Sequence, residues 1–374
     1  MTAVSGTCDG RFEGVRAAFE ANFERGLDVG ASVAVFVDGE PVVDLWGGHR
    51  DAEKTEPWER DTVVNVWSTT KTMTALCALM LADAGELDLD APVFRYWPEF
   101  GVAGKRSTAV RHLLSHTAGL PGWTEPISVE DLYDWQKVTE LLAAQESWWE
   151  PGTASGYHAV TQGYLVGEVV RRVTSESLGR FFADEVAGPL GADFHIGTPP
   201  EVDPRVAPVI APESLPKVDN EAAPLAVRTF TNPPLAADVS TTVPWRRAEI
   251  PAAGGHGNAR AIAAVHSVVA CGGEARGVRL LSRAGVDRIF EEQSNGVDLV
   301  LGVPIRFGMG FGLSGELMEG GPRTCFWGGW GGSLVVVDLD TRSCVAYAMN
   351  KMASGLIGDT RGASLVLAAA AALT

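Results

Sequence analysis

Ser68-Thr69-Thr70-Lys71 stands between a short apolar run at residues 63–66 and an alanine- and leucine-rich run at residues 71–84. The first run predicts a buried strand, and the second predicts a helix that stops at Gly85. If Ser68 opens this helix, Lys71 lies one turn later on the same face, within reach of the Ser68 hydroxyl. The stretch therefore predicts a strand, a serine and a helix in direct succession.

This arrangement suits nucleophilic catalysis. A serine hydroxyl is a poor nucleophile unless a base takes its proton. A neutral lysine could be that base if burial and a nearby cation or proton donor lower its pKa. The N-terminus of the helix would add partial positive charge and free N–H groups at the point of attack. We therefore predict that Ser68 is an acylated nucleophile and that Lys71 is its base.

A second run of the same form, Ser214-Leu215-Pro216-Lys217, shows that Ser-x-x-Lys alone is not specific. Its proline argues against a helix, so its serine and lysine need not converge. Such a serine can also be a simple helix cap, with the lysine in solvent. The strand-to-helix context favours Ser68. None of the 20 serines lies in Gly-x-Ser-x-Gly, which argues against an α/β-hydrolase.

The overall composition predicts a folded, acidic protein. Of the 374 residues, 46% are hydrophobic and 21% charged, which suits a large core, expected in two lobes. The net charge of −17 argues against partners such as nucleic acid or an anionic membrane. Neither a secretory signal nor a run long enough to span a bilayer is apparent. The five scattered cysteines fit no disulfide framework or thiolate metal site, so we expect a cytoplasmic protein without a metal or cofactor.

Strand-like runs occupy both ends of the chain, and helix-like runs occupy the middle. Strands are predicted at residues 32–37, 41–46, 307–313, 325–330, 334–338 and 344–349. Helices are predicted at residues 12–25, 110–114, 130–144, 160–173, 178–186, 259–270 and 365–373. Residues 199–251 hold eleven of the 21 prolines and predict long surface loops. We therefore expect an α/β fold in which residues 1–84 plus 255–374 form one discontinuous domain and residues 85–254 a mostly helical insertion.

Three further motifs follow Ser68 along the chain. They are Arg111-His112-Leu113-Leu114-Ser115-His116-Thr117-Ala118-Gly119-Leu120-Pro121, Tyr157-His158-Ala159 and Trp327-Gly328-Gly329. In this order, the motifs resemble those of the serine β-lactamase and penicillin-recognising superfamily. Over nearly its whole length the chain looks most like the class C β-lactamase-like carboxylesterases called family VIII esterases. The resemblance implies a serine β-lactamase-like fold, with a mainly antiparallel sheet flanked by helices and a second, mostly helical lobe inserted.

The resemblance also implies roles for individual residues. Ser68 would be acylated, Lys71 would be its base, and Tyr157 would help to shuttle the proton. As a phenolate beside the Lys71 ammonium, Tyr157 could accept the Ser68 proton, provided that its pKa falls below its usual value near ~10. The backbone amides of Ser68 and Trp330 would form the oxyanion hole.

Two departures from the β-lactamase pattern bear on the substrate. Ala159 stands where β-lactamases have the asparagine that grips the β-lactam side chain. Trp327-Gly328-Gly329 stands in place of Lys-Thr-Gly, so the cation that would hold a β-lactam carboxylate is absent. The resemblance implies that Trp327, Gly328 and Gly329 bind the substrate. Both departures favour neutral esters.

The sequence thus predicts a serine carboxylesterase that hydrolyses small, short-chain carboxylic esters through an acyl-enzyme. A β-lactamase, a D-alanyl peptidase or an amide hydrolase on the same fold is one alternative, and a non-catalytic binding or assembly protein is another. His112 and His116, four residues apart, could suggest a metal pair. No third ligand accompanies them, and we expect them to support the edge of the cleft. The oligomeric state stays open.

Overall fold

The computed structural model describes residues 3–214 and 223–373. Its strands are β1 (Val4–Cys8), β2 (Gly30–Val37), β3 (Glu40–Gly48), β4 (Val63–Asn65), β5 (Phe194–Ile196), β6 (Val206–Ala207), β7 (Gly255–Gly257), β8 (Glu274–Ala275), β9 (Val278–Arg279), β10 (Ser294–Val297), β11 (Pro304–Phe307), β12 (Gly312–Leu313), β13 (Thr324–Gly328), β14 (Leu334–Asp338) and β15 (Ser343–Met349). Its helices are α1 (Glu13–Glu24), α2 (Thr70–Asp83), α3 (Val110–Leu114), α4 (Trp135–Ala144), α5 (Thr161–Thr174), α6 (Leu178–Phe182), α7 (Gly188–Leu190), α8 (Pro224–Phe230), α9 (Val243–Arg247), α10 (Ala259–Ala270), α11 (Arg283–Asp287) and α12 (Thr360–Leu373).

The two ends of the chain meet in one antiparallel sheet. Among the described strands, nine form this sheet in the order β1-β3-β2-β15-β14-β13-β12-β11-β10. β2 and β15 pair from Ala31 opposite Met349 to Val37 opposite Ser343. Both are almost wholly buried, because α10 packs on them and α12 also contacts β15. The predicted fold class is confirmed.

A smaller sheet leads into the predicted nucleophile. Within the described chain it has the order β5-β7-β4-β6. β4 ends at Asn65, and a 3₁₀ turn at Trp67–Thr69 connects it to α2. α2 is buried over nearly all of its length, as is typical of a helix that is apolar on every face. The start of α2 therefore lies in the interior, where burial acts on Lys71.

The proline-rich region was only partly predicted. Residues 199–251 contain two short helices, α8 and α9, and not only surface loops. Trp245, in α9, is completely buried, and its indole donates a hydrogen bond to Asn65 Oδ1 at 3.1 Å. The Trp245 side chain holds this region against the core, although the prolines prevent the region from forming longer helices.

The prediction of one strand over residues 307–313 is wrong. The chain forms β11 and β12 there, joined by a tight turn that contains Gly310. Gly310 has a φ of 81°, and a Cβ at this position would lie 2.1 Å from the Cβ of Ala75 in α2. At this turn the backbone passes directly over the buried helix α2, which leaves room only for a glycine.

The apolar core continues through both predicted domains, with Val33 and Val138 in the same cluster. The division into residues 1–84 plus 255–374 and residues 85–254 stays a prediction, as does the cytoplasmic location. No helix in the described part of the chain is both long and apolar enough to cross a membrane.

Two buried histidines are expected to make the fold less stable in acid. His256 and His266 are fully buried, and burial lowers the pKa of each from 6.5 to about 4. Above the histidine pKa of the unfolded chain, near 6.5, both states are neutral and the fold has its full stability. As the pH falls from there towards 4, the unfolded chain binds protons that the folded chain cannot, so the free energy of unfolding decreases. For each histidine this corresponds to roughly 3 kcal/mol. We expect the melting temperature to fall between pH 6.5 and 4.5, and His266→Leu to reduce the slope. An unchanged slope in His266→Leu would contradict this account.

Candidate active site

Ser68 sits on a sharp turn that three tryptophans support. Trp67, the residue before it, has a φ of 47°, which is rare outside glycine. The Trp67 ring lies 5.6 Å from the ring of Trp245 and 4.8 Å from that of Trp330. Thr70 Oγ1 donates a hydrogen bond to the Trp67 carbonyl at 2.5 Å. Packing on both sides of Trp67 thus holds the turn that presents Ser68.

Lys71 Nζ lies 3.1 Å from Ser68 Oγ. It also donates hydrogen bonds to the carbonyl oxygens of Ala159, at 2.7 Å, and of Ala252, at 2.9 Å. Lys71 is only 1% exposed, and its side chain forms no ion pair within residues 3–214 and 223–373. Burial therefore holds the pKa of Lys71 well below its usual 10.5, which favours the neutral amine.

Tyr157 completes this group. Its ring centre lies 4.7 Å from Lys71 Nζ, and the residue is 2% exposed. Burial raises the pKa of Tyr157 well above 10, and the charge of Asp298 adds to the rise. The Ser68 hydroxyl and the Trp327 indole lie close enough to offset part of it, although neither makes a well-aligned hydrogen bond with Tyr157 Oη.

The predicted lowering of the Tyr157 pKa is therefore wrong in direction. It relied on an ammonium beside the phenol, but burial disfavours the ammonium form of Lys71 itself. With no stable cation there, a buried phenolate is costly. Tyr157 is accordingly a neutral phenol in the resting site.

The turn after β13 lies against the Ser68 turn. Ser333 Oγ donates a hydrogen bond to the Val66 carbonyl at 2.7 Å and lies 2.9 Å from Thr69 Oγ1. A Cβ on Gly329 would come within 2.3 Å of the Val66 oxygen and 3.2 Å of the Ser68 nitrogen. The glycine therefore allows the two backbones to approach closely. Ser333, which fastens them together, had no recognisable signal in the sequence.

Gly329→Ala should damage the site. The added methyl group cannot fit without moving the Val66 backbone. We expect kcat for ester hydrolysis to fall by roughly 100-fold, because an oxyanion donor would be displaced. Gly14→Ala is a matched control, since a Cβ there, in α1, meets only Ala368 at 3.9 Å and a helix favours alanine. Wild-type turnover in Gly329→Ala would show that the close approach is dispensable.

Two buried histidines tie the Tyr157 segment to its neighbour. His158 Nε2 accepts a hydrogen bond from the Leu120 amide at 3.0 Å, and its Nδ1 lies 2.6 Å from the Gly156 carbonyl. His116 Nδ1 accepts from the His158 amide at 3.1 Å. Burial lowers the pKa of both histidines, that of His158 to about 3, so they stay neutral acceptors.

The described residues contain no histidine, cysteine or carboxylate cluster fit to hold a metal.

An apolar cavity of about 260 Å³ opens at Ser68. Its walls come from the Ser68 turn, the Tyr157 segment, the region around α8 and the turn after β13. Its lining residues are Trp67, Ser68, Tyr157, Ala159, Val160, Thr229, Phe230, Thr231, Pro233, Leu235, Ala253, Trp330 and Leu356. None of these carries a charge, so the cavity suits a neutral group.

The structure brings Ser68, Lys71, Tyr157 and the Trp330 segment together, but Trp327, Gly328 and Gly329 do not line the cavity. Trp327 is 1% exposed and packs behind Tyr157, with ring centres 5.5 Å apart. Of the second Ser-x-x-Lys run, residues 215–217 lie outside the described residues.

The fold and this site define a serine hydrolase of the β-lactamase and penicillin-binding-protein type. The chain belongs to the Beta-lactamase family, whose model matches residues 19–370. It is 36% identical over 373 residues to the Esterase/beta-lactamase LipL of Mycobacterium tuberculosis, covering 95% of this chain and 84% of that protein.

Two crystal structures are also similar over nearly the whole chain. One is a family VIII carboxylesterase, with 43% identity and a TM-score of 0.94 over 99% of this chain and 100% of the other. The second is a penicillin-binding protein homologue from Caulobacter crescentus, with 37% identity and a TM-score of 0.93 over 99% and 100%. These relatives support a serine ester hydrolase on this fold.

Proposed function

We propose that the protein is a carboxylesterase that cleaves short-chain carboxylic esters through an acyl-enzyme on Ser68. The observation that carries the proposal is the 3.1 Å approach of a buried Lys71 amine to Ser68 Oγ at the mouth of an uncharged cavity. The carboxylesterase and esterase relatives agree with this chemistry.

Lys71 is oriented as a base. A neutral amine has two N–H groups and one lone pair. The Ala159 and Ala252 carbonyls can accept both N–H groups, which leaves the lone pair for the Ser68 hydroxyl proton. After proton transfer the ammonium keeps both carbonyls as partners. The reacting amine therefore needs no rearrangement, which lowers the cost of the step.

The oxyanion is expected to bind the amides of Ser68 and Trp330. The Gly329 carbonyl accepts a hydrogen bond from the Gly332 amide at 3.1 Å. Because a peptide is planar and trans, the Trp330 N–H must point the opposite way from that carbonyl, away from the turn. Neither the Ser68 nor the Trp330 amide donates to another described residue. Both donors thus remain free for a developing negative charge.

The cavity favours a small neutral acyl or alcohol group. Phe230, Leu235 and Leu356 contribute apolar surface, and no lysine or arginine lines the cavity to bind a carboxylate. Ala159 supplies its backbone carbonyl to Lys71 and only a methyl group to the cavity. A volume of about 260 Å³ suits short chains better than long ones.

A panel of substrates tests this assignment. Intact mass spectrometry after mixing with p-nitrophenyl acetate, butyrate, octanoate and nitrocefin should show acetyl and butyryl groups on the protein. We expect turnover of the short esters to exceed that of octanoate by at least about tenfold, because the longer chain outgrows the cavity. Preferential turnover of octanoate would contradict the assigned chain length.

The same panel tests a β-lactamase activity, which the dual name of the M. tuberculosis relative makes worth measuring. We expect nitrocefin to be the poorer substrate, since no cation lines the cavity to meet its carboxylate. Nitrocefin turnover equal to that of the esters would favour the β-lactamase alternative.

A further inference from the structure

A buried carboxylate holds the backbone of Tyr157. Asp298, which directly follows β10, is 0% exposed. Its Oδ1 accepts three hydrogen bonds, from the amides of Tyr157, Val300 and Leu301, each at 2.9 Å. Its Oδ2 is buried and has no hydrogen-bond partner among the described residues. A carboxylate in this setting keeps its negative charge away from water, so the charge acts strongly on its neighbours.

The loop that carries Asp298 is fastened to the Tyr157 segment at a second point. The Leu299 amide donates a hydrogen bond to the Ser155 carbonyl at 2.9 Å. The loop also closes on itself, because the Asp298 amide donates to the Val303 carbonyl at 3.0 Å. Val300 then packs in one apolar cluster with Tyr157 and Trp327. The position of Tyr157 therefore depends on this loop as well as on its own chain neighbours.

Few charged groups surround the Tyr157 ring. Lys71 Nζ lies 4.7 Å from its centre and the His116 ring 5.0 Å away, while His158 follows it in sequence. Burial lowers the pKa of all three and so disfavours their charged forms. Burial is the main cause of the raised pKa of Tyr157, and the negative charge of Asp298 adds to it, so both oppose loss of the phenol proton.

We propose that Asp298 is a positioning residue that holds Tyr157 beside Lys71 and keeps the Tyr157 hydroxyl protonated for transfer to the leaving group. The proposal rests on the proposed function. As the ester C–O bond breaks, the Tyr157 Oη proton goes to the departing alkoxide oxygen. The proton that Lys71 took from Ser68 returns to Tyr157 Oη, so the site ends with neutral Lys71 and Tyr157 and an acylated Ser68.

The Asp298→Asn variant distinguishes the positioning of Tyr157 by hydrogen bonds from the effect of the Asp298 charge. The amide oxygen can replace Oδ1 and accept the same three backbone hydrogen bonds, while the negative charge is lost. We expect kcat/KM at pH 7 to remain within about threefold of wild type, and the alkaline limb of the pH–rate profile to move to lower pH. Asp298→Ala, which loses the three contacts as well, should reduce kcat by roughly 100-fold. A purely structural role predicts no change in the limb for Asp298→Asn.

Glu168→Gln is the matched control. Glu168 is also a buried carboxylate, but its partners are Trp135, Arg171 and Arg172, none of which belongs to the site. This variant should keep the wild-type alkaline limb even if it melts earlier. A similar shift in both variants would overturn the proposal, because the effect would then follow from any lost carboxylate.

A second measurement does not depend on turnover. With ¹³C at the ζ carbon of tyrosine, the five tyrosines give separate NMR signals, and Tyr157→Phe assigns one of them. In the wild-type protein the Tyr157 signal should stay protonated well above the usual tyrosine pKa of about 10, and in Asp298→Asn it should titrate at a lower pH. Titration of Tyr157 in the wild-type protein near pH ~10, or an unchanged titration in Asp298→Asn, would overturn the proposal. Failure of Ser68 acylation would instead contradict the esterase assignment and leave these signals as they are.

Discussion

Ser68→Ala is expected to abolish ester hydrolysis, with a loss of at least about 10,000-fold in kcat/KM for p-nitrophenyl acetate. The alanine keeps the turn and the cavity but has no oxygen to form the acyl-enzyme. The variant should also fail to gain mass on treatment with a fluorophosphonate, which labels activated serines. Both readouts follow from one missing atom, so they should change together.

Ser214→Ala is the matched control for that experiment. It changes the serine of the second Ser-x-x-Lys run, and Ser214 lines a cavity that has no lining residue in common with the Ser68 cavity. Its activity and labelling should equal those of the wild-type protein. Retained turnover in Ser68→Ala would exclude the acyl-enzyme on Ser68. A wild-type protein that neither hydrolyses esters nor takes the label would favour the binding or assembly alternative.

Lys71→Met is expected to reduce kcat by about 1,000-fold or more while Ser68 and its cavity stay in place. Methionine fills a buried site of this shape without an amine, so the hydroxyl loses its base. Lys71→Arg should not restore activity, because a guanidinium remains protonated and cannot accept the proton. Initial rates and the rate of fluorophosphonate labelling from pH 6 to 9 measure both effects.

The pH dependence of the wild-type rate is an internal check on the role of Lys71. Burial lowers the pKa of Lys71, so protonation of this base should reduce the rate only at a lower pH than an exposed lysine would require. Lys71→Met should not show that acid limb in its residual activity. An active Lys71→Arg variant would contradict the role of Lys71 as a base. It would instead indicate that Lys71 only supplies a positive charge.

The sequence predicted the fold because its strongest local patterns agree with the tertiary structure. The strands predicted at residues 32–37, 41–46, 325–330, 334–338 and 344–349 all coincide with strands of one sheet. Where the patterns failed, a long-range contact was responsible. The turn at Gly310 depends on the approach to Ala75, more than 200 positions earlier, and no local propensity can report that contact.

For the site, the sequence by itself predicted which residues lie together. Ser-x-x-Lys at a strand-to-helix junction places the Ser68 and Lys71 side chains together, because three residues make about one helical turn. Tyr157 and the Trp327-Gly328-Gly329 motif followed from the resemblance, with the preference for uncharged groups implied by Ala159 and Trp327.

Only the tertiary structure decided in which direction the pKa of each group shifts and which neighbours support it. Burial by the whole fold lowers the pKa of Lys71, and burial also raises the pKa of Tyr157. Asp298 reaches Tyr157 across 141 positions of sequence. Burial and electrostatic fields are sums over neighbours in space, so a one-dimensional pattern can single out Ser68 but cannot show which neighbours set the pKa values around it.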